Sequence, residues 1–178
     1  TLLCLTATVG CSRTDDGAKV SDRDPRSPFF AADSLRDERR FLQAHPEYRR
    51  LRDSFALAQD SAGWWRAQLW WAQTLMRLAR TDSSEAAIRD AFLLAGSDSS
   101  RHAWTYLMRC GLWSRLGRSE QAIEDCQRAQ ALAERLNAGE LRARIHTQLG
   151  TIYSRRGLFR RSVQETELAL ELERRYGQ

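Results

Sequence analysis

The amino-acid sequence predicts an all-α fold of stacked antiparallel helix hairpins, an α-solenoid of about eight helices, and three observations support this. From residue 34 onward, apolar residues recur at helical spacing with almost no proline and no β-branched runs. Short patterns also repeat at intervals of 35 to 40 residues, the length of one hairpin. The chain has 178 residues, 42% of them apolar, so it can bury a core without metals or disulfides.

The first eleven residues predict the end of a truncated secretory signal. They form an apolar stretch that finishes in Thr8-Val9-Gly10-Cys11, and polar sequence follows. This ending resembles the lipobox of bacterial lipoproteins. The resemblance implies lipidation of Cys11 and an extracytoplasmic, membrane-anchored protein, and Ser12 indicates the periplasmic side of a Gram-negative outer membrane. The alternative is a buried helix or strand start with an incidental cysteine.

Two segments separate this signal from the repeats. Residues 12–33 predict a disordered tether, because prolines, glycine and mixed charges outnumber apolar residues there. Residues 34–60 predict a capping pair of helices. The first helix is expected to begin at Asp33 or Ser34, and Pro46 is expected to end it and open the second.

Residues 61–178 predict a series of repeated hairpins. The pattern that begins at Ser84 matches the pattern at Ser119, 35 residues later, and within it Gln121-Ala122-Ile123 is continued by Arg161-Ser162-Val163, 40 residues further on. The predicted units cover about 67–100, 103–136 and 143–176.

Each unit places small residues where two helices would cross, with an aromatic residue three positions later and a glycine at the turn. In the third unit these residues are Leu149, Gly150, Tyr153, Gly157, Phe159, Ser162 and Ala169; in the second they are Tyr106, Cys110, Trp113, Gly117, Ala122 and Ala129. Their spacing resembles the tetratricopeptide repeat (TPR) family. The first unit departs from the pattern, because Asp82 stands where the turn glycine is expected.

The resemblance implies a concave groove, lined by the first helix of each hairpin, that binds an extended peptide. The family's inward positions correspond to Leu69, Ala72, Met76 and Arg80; Trp104, Leu107, Gly111 and Arg115; and Arg144, Thr147, Thr151 and Arg155. Stacking would place Arg80, Arg115 and Arg155 in a row that suits the carboxylates of an acidic partner. The alternative is three solvated arginines at helix ends, where cations favour the helix dipole.

Four tryptophans, Trp64, Trp65, Trp70 and Trp71, lie within eight positions. One interpretation is that Trp64 and Trp71, seven residues apart, fill the seam with the preceding helix pair. The other places Trp65 or Trp70 on a partner surface, because exposed tryptophans are favoured anchors.

Cys110 and Cys126 flank the turn at Gly117 and are expected to lie level with each other on two antiparallel helices. A disulfide is therefore feasible outside the cytoplasm. The alternative is a pair of reduced, buried small residues.

No catalytic, cofactor or metal site is predicted. His45, His102 and His146 have no partner at metal-ligand spacing, and no nucleophile motif or phosphate loop occurs. The net charge of +5 does not indicate nucleic-acid binding, because acidic residues are interleaved with the arginines. The predicted function is a non-catalytic, lipid-anchored scaffold that binds a protein or peptide. The alternative is the docking region of a longer enzyme, such as a caspase-type protease or a signalling kinase.

Overall fold

The computed structural model describes residues 24–176, and within them the predicted all-α fold is confirmed. Helices make up 82% of these residues, and none of them forms a strand. The eight helices are α1 (Phe30–Asp37), α2 (Phe41–Leu57), α3 (Ser61–Arg77), α4 (Thr81–Ala95), α5 (Ser99–Arg115), α6 (Ser119–Arg135), α7 (Gly139–Arg155) and α8 (Phe159–Tyr176). The predictions for residues 1–23, including lipidation of Cys11, lie outside the described residues.

Consecutive helices pack against each other as a stack of hairpins. Contacts also join α3 to α5 and α5 to α7, so the first helices of successive hairpins touch directly. We call the side formed by these odd-numbered helices the inner face. The hairpins begin four to six residues earlier than the units predicted from the sequence.

All seven turns between helices are short, and six of them close with the same backbone hydrogen bond; the turn after α4 differs, because Gly96 is itself the C-cap, with ψ of -122°. In all seven, one residue has a positive φ: Arg39, Gln59, Ala79, Gly96, Gly117, Asn137 and Gly157. In the turn after α3, the N–H of Arg80 donates to the carbonyl of Leu75 at 2.9 Å, as in a Schellman helix ending. Ala79, with φ of 58°, therefore occupies the position that the sequence analysis gave to Asp82.

The register of the first repeat is also different from the predicted one. Helices α3, α5 and α7 begin 38 and then 40 residues apart, and the buried residues Ala91, Ala129 and Ala169 keep the same intervals. The predicted interval of 35 is therefore short by three residues. A shift of three positions is less than one helical turn, so it preserves most of the apolar pattern and misleads sequence comparison.

Small residues let the two helices of each hairpin approach closely. The hydroxyl of Ser84 donates to the carbonyl of Ala72 at 2.9 Å, and Ser162 donates in the same way to Gly150. In the α5–α6 hairpin, Cys110 and Cys126 occupy the crossing. They form a disulfide with a Cα–Cα distance of 5.6 Å, and both are fully buried.

The first hairpin departs from its prediction in two ways. Pro46 lies inside α2, which begins at Phe41, so it does not separate two helices. Asp33 does not cap α1: it is buried, pairs with Arg36 at 2.9 Å and accepts a hydrogen bond from Tyr48. The predicted tether therefore ends earlier than residue 33, because a buried ion pair needs fixed partners.

The burial of the four tryptophans of α3 also differs from both interpretations of the sequence. Trp65 and Trp70 are buried, whereas Trp64 and Trp71 are half-buried. Helix α3 packs against α2, α4 and α5, so more than one of its faces is covered and a single seam does not account for its large residues.

Candidate interaction groove

The inner face is lined by residues at equivalent places in three helices of equal length. These are the sixth, ninth, thirteenth and seventeenth residues of α3 (Arg66, Leu69, Gln73, Arg77), α5 (Trp104, Leu107, Gly111, Arg115) and α7 (Arg144, Thr147, Thr151, Arg155). The predictions for α5 and α7 match this register, but of the four predicted for α3 only Leu69 does. Leu69, Ala72 and Met76 are all buried and offer no surface to a partner, and Arg80 lies beyond α3 at the N-cap of α4.

Aromatic side chains form the floor between α3 and α5. The rings of Trp70 and Trp104 meet edge to face with centroids 6.4 Å apart, and they are 5% and 6% exposed. The guanidinium of Arg36 lies 4.4 Å from the centre of Trp70, and that of Arg144 lies 5.7 Å from Trp104. Trp104 therefore contributes to the floor of the groove, with little surface free for a partner.

The accessible part of the groove lies on α7 and the adjoining face of α5. Arg144, Thr147 and Thr151 are exposed, whereas Leu107 is half-buried. Each threonine hydroxyl donates to a carbonyl four residues earlier in its helix, so its oxygen is left to accept. This surface can receive hydrogen bonds from an extended chain.

Gln73 is a groove residue that the sequence analysis missed. Its amide oxygen Oε1 is buried and has no hydrogen-bond partner among residues 24–176. A buried acceptor without a partner costs free energy, but this oxygen is shielded from solvent, so a bound chain would reach it only after the Gln73 side chain had moved.

Three arginines, Arg77, Arg115 and Arg155, end α3, α5 and α7, and we call them the arginine row. Burial lowers the pKa of Arg77, and the charges of Arg115 and Arg39 lower it further. Arg155 donates from Nη1 to the carbonyl of Ser114 at 3.0 Å, which brings it to the end of α5. The structure therefore places Arg77, rather than the predicted Arg80, at the helix end equivalent to those of Arg115 and Arg155.

The row lacks the acidic partners that other charged residues have. Arg109 makes two hydrogen bonds to Asp125, at 2.7 and 2.8 Å, and they raise its pKa. His146 is likewise bonded to Glu165 at 2.7 Å. By contrast, no member of the row has an ion pair with a carboxylate in the described part of the chain.

Arg77 is identified by its place at the end of α3. The helices α3, α5 and α7 each have 17 residues and end in arginine, whereas the short repeated patterns in the sequence do not mark helix ends.

Other kinds of site find no support among residues 24–176. No group of three or more potential metal ligands occurs, and none of the helices there is long and apolar enough to cross a bilayer. No family model and no curated protein matches the sequence.

Proposed function

We propose that this chain is a non-catalytic, TPR-like interaction module that binds an extended, acidic peptide along its inner face. The arginine row is the observation that carries the proposal. The three arginines end equivalent helices without carboxylate partners among the described residues, and the charge of Arg115 acts unfavourably on Arg77, so an acidic ligand would offset this repulsion. The exposed threonines of α7 offer acceptors to the N–H groups of such a ligand.

Lipid anchoring at Cys11 and an extracytoplasmic position belong to the same proposal. The disulfide between Cys110 and Cys126 supports them, because disulfides persist in oxidising compartments and are rare in the cytosol. Labelling cells with a palmitate analogue tests the anchor. Label should appear on the wild-type protein and disappear from Cys11→Ser, and label that persists on the variant would contradict it.

Fluorescence anisotropy tests the groove with a short labelled peptide that alternates glutamate and alanine. Arg115→Gln combined with Arg155→Gln should weaken binding at least about tenfold, because two charge-assisted hydrogen bonds are lost. The matched control is Arg135→Gln with Arg174→Gln, which removes two exposed arginines from α6 and α8. Equal weakening in both pairs would show nonspecific attraction and would contradict the proposed site.

A further inference from the structure

The two edges of the helix stack differ strongly in charge. The four turns that lead from an odd to an even helix, residues 38–40, 78–80, 116–118 and 156–158, form one edge, which we call the cationic edge. With four residues on either side, these turns contain four carboxylates and eleven arginines: Arg36, Arg39, Arg40, Arg77, Arg80, Arg115, Arg118, Arg155, Arg156, Arg160 and Arg161. The same count around the three turns of the opposite edge gives three arginines and four carboxylates.

Contacts across neighbouring hairpins bring these arginines together. The charges of Arg39 and Arg115, which lie at the two neighbouring turns of this edge, both lower the pKa of Arg77. Arg156, in the last turn, pairs with Glu120 at the start of α6 at 3.2 Å. Glu38 is likewise paired, with Arg40 at 2.8 Å. The few carboxylates at this edge are therefore largely engaged, and a net positive charge remains.

The helix starts at the cationic edge break the usual capping rule. Arg40, Arg80 and Arg118 are the N-cap residues of α2, α4 and α6, and none of their side chains accepts a hydrogen bond from the helix. A guanidinium beside the positive end of a helix dipole is unfavourable, and aspartate or serine is preferred there. Local rules are most often broken where a residue has a function.

Large apolar side chains are exposed among these arginines. Leu42 is 77% exposed and Phe159 68%, and Leu116 and Leu158 are each 40% exposed at the turns themselves. The opposite edge also exposes Leu57, Leu93 and Leu136, but only the cationic edge combines such residues with many arginines. That combination suits the boundary between lipid headgroups and acyl chains.

We propose that the cationic edge is a peripheral binding surface for an anionic lipid bilayer. Its ten exposed arginines would contact headgroup phosphates while Leu42, Leu116, Leu158 and Phe159 enter the interface; Arg36 is buried and paired with Asp33 and Asp37. The exposed apolar residues favour lipid over nucleic acid as the ligand. They would be buried among acyl chains, which is favourable, whereas a nucleic-acid phosphate backbone offers them no apolar surface. The cationic edge adjoins the inner face and includes Arg77, Arg115 and Arg155 of the arginine row, whereas Arg80, Arg118 and Arg160 lie outside that row.

Co-sedimentation with phosphatidylcholine vesicles, with and without phosphatidylglycerol, tests this surface. The protein is the full chain with Cys11→Ser, so that no lipid on that residue contributes. Arg80→Glu, Arg118→Glu and Arg160→Glu together should lower partitioning onto phosphatidylglycerol vesicles at least about tenfold. The control, Arg89→Glu with Arg135→Glu and Arg174→Glu, changes the net charge equally on exposed arginines away from the edge and should retain most binding.

The edge variant places carboxylates at helix N-termini, so unfolding would not explain a loss of binding. Phe159→Ser should reduce vesicle partitioning several-fold. Equal losses in the edge and control variants would overturn the proposal. So would tight binding of duplex DNA that Phe159→Ser leaves unchanged while vesicle binding is absent.

Discussion

At one edge of the stack, Asp60 and Asp98 cap α3 and α5, and each accepts hydrogen bonds from two backbone N–H groups. At the cationic edge, Arg80 and Arg118 hold the corresponding places on α4 and α6 and accept none. Every one of these turns nevertheless has one residue at positive φ. The difference teaches that the helices at the cationic edge begin without a side-chain cap, so the arginines there are not needed for capping.

Removing the aspartate caps should produce the largest change in stability. Asp60→Ala combined with Asp98→Ala should lower the free energy of unfolding by about 2 kcal/mol, because each cap contributes about 1 kcal/mol. Urea unfolding measures the change. The control, Ser61→Ala with Ser99→Ala, alters exposed neighbours and should stay within about 0.5 kcal/mol. A loss no larger than in this control would show that the two edges do not differ in capping.

Giving the cationic edge the caps of the opposite edge should have the reverse effect. Arg80→Asp with Arg118→Asp should raise the free energy of unfolding by about 1 to 2 kcal/mol, through new N-cap hydrogen bonds and a favourable dipole interaction. Arg118 lies 4.9 Å from the ring centre of Trp113, and losing this contact should offset about 0.5 kcal/mol. A net loss of stability would mean that these arginines are structural.

The conformation of the turns at the cationic edge can be tested by exchanging alanine and glycine at the residue with positive φ. Ala79→Gly should stabilise the protein by about 0.5 to 1 kcal/mol, since glycine adopts a positive φ without the steric cost of a β-carbon. Gly117→Ala should cost about the same amount in the neighbouring turn, where φ is 74°. Thermal unfolding of the two variants should therefore shift in opposite directions. Shifts of the same sign would contradict this account of the turns.

The smallest expected effect is a pH dependence centred on His45. Burial lowers its pKa, and the charges of Arg80, Arg49 and Arg52 lower it further. The unfolded chain therefore binds the proton more readily, so the stability contributed by neutral His45 is full above its unfolded pKa and is lost as pH falls.

Arg80→Asp should make stability fall less steeply than in the wild type as the solution is acidified. Arg118→Asp, which lies in another turn, should leave the slope unchanged. Urea titrations across the histidine range compare the three proteins, and equal slopes in all of them would contradict the assignment to His45.

The sequence was sufficient to predict the helices and their pairing but not every register. Apolar periodicity and the turn glycines Gly117 and Gly157 located the last two hairpins, and Arg115 and Arg155 followed from them. Arg77 was missed because a three-residue shift preserves most of a helical pattern, and Ala79 gave no glycine signal at its turn.

The first hairpin was harder for a different physical reason. Pro46 predicts a helix break, but it lies near the start of α2, where the loss of one backbone hydrogen bond is tolerated. Asp33 and Arg36 are three residues apart in α1, but the pairing of Asp33 with Arg66 depends on tertiary packing between α1 and α3, which local sequence patterns do not encode.

The most direct test of the account is to measure the electrostatic potential at both edges of the folded protein. The potential near each residue can be obtained from the paramagnetic relaxation of its backbone amide by an anionic and by a cationic nitroxide. The anionic probe should relax amides of turns 78–80, 116–118 and 156–158 more strongly than the cationic probe, while turns 58–60 and 96–98 should show nearly equal effects. Equal ratios at the two edges would contradict the account.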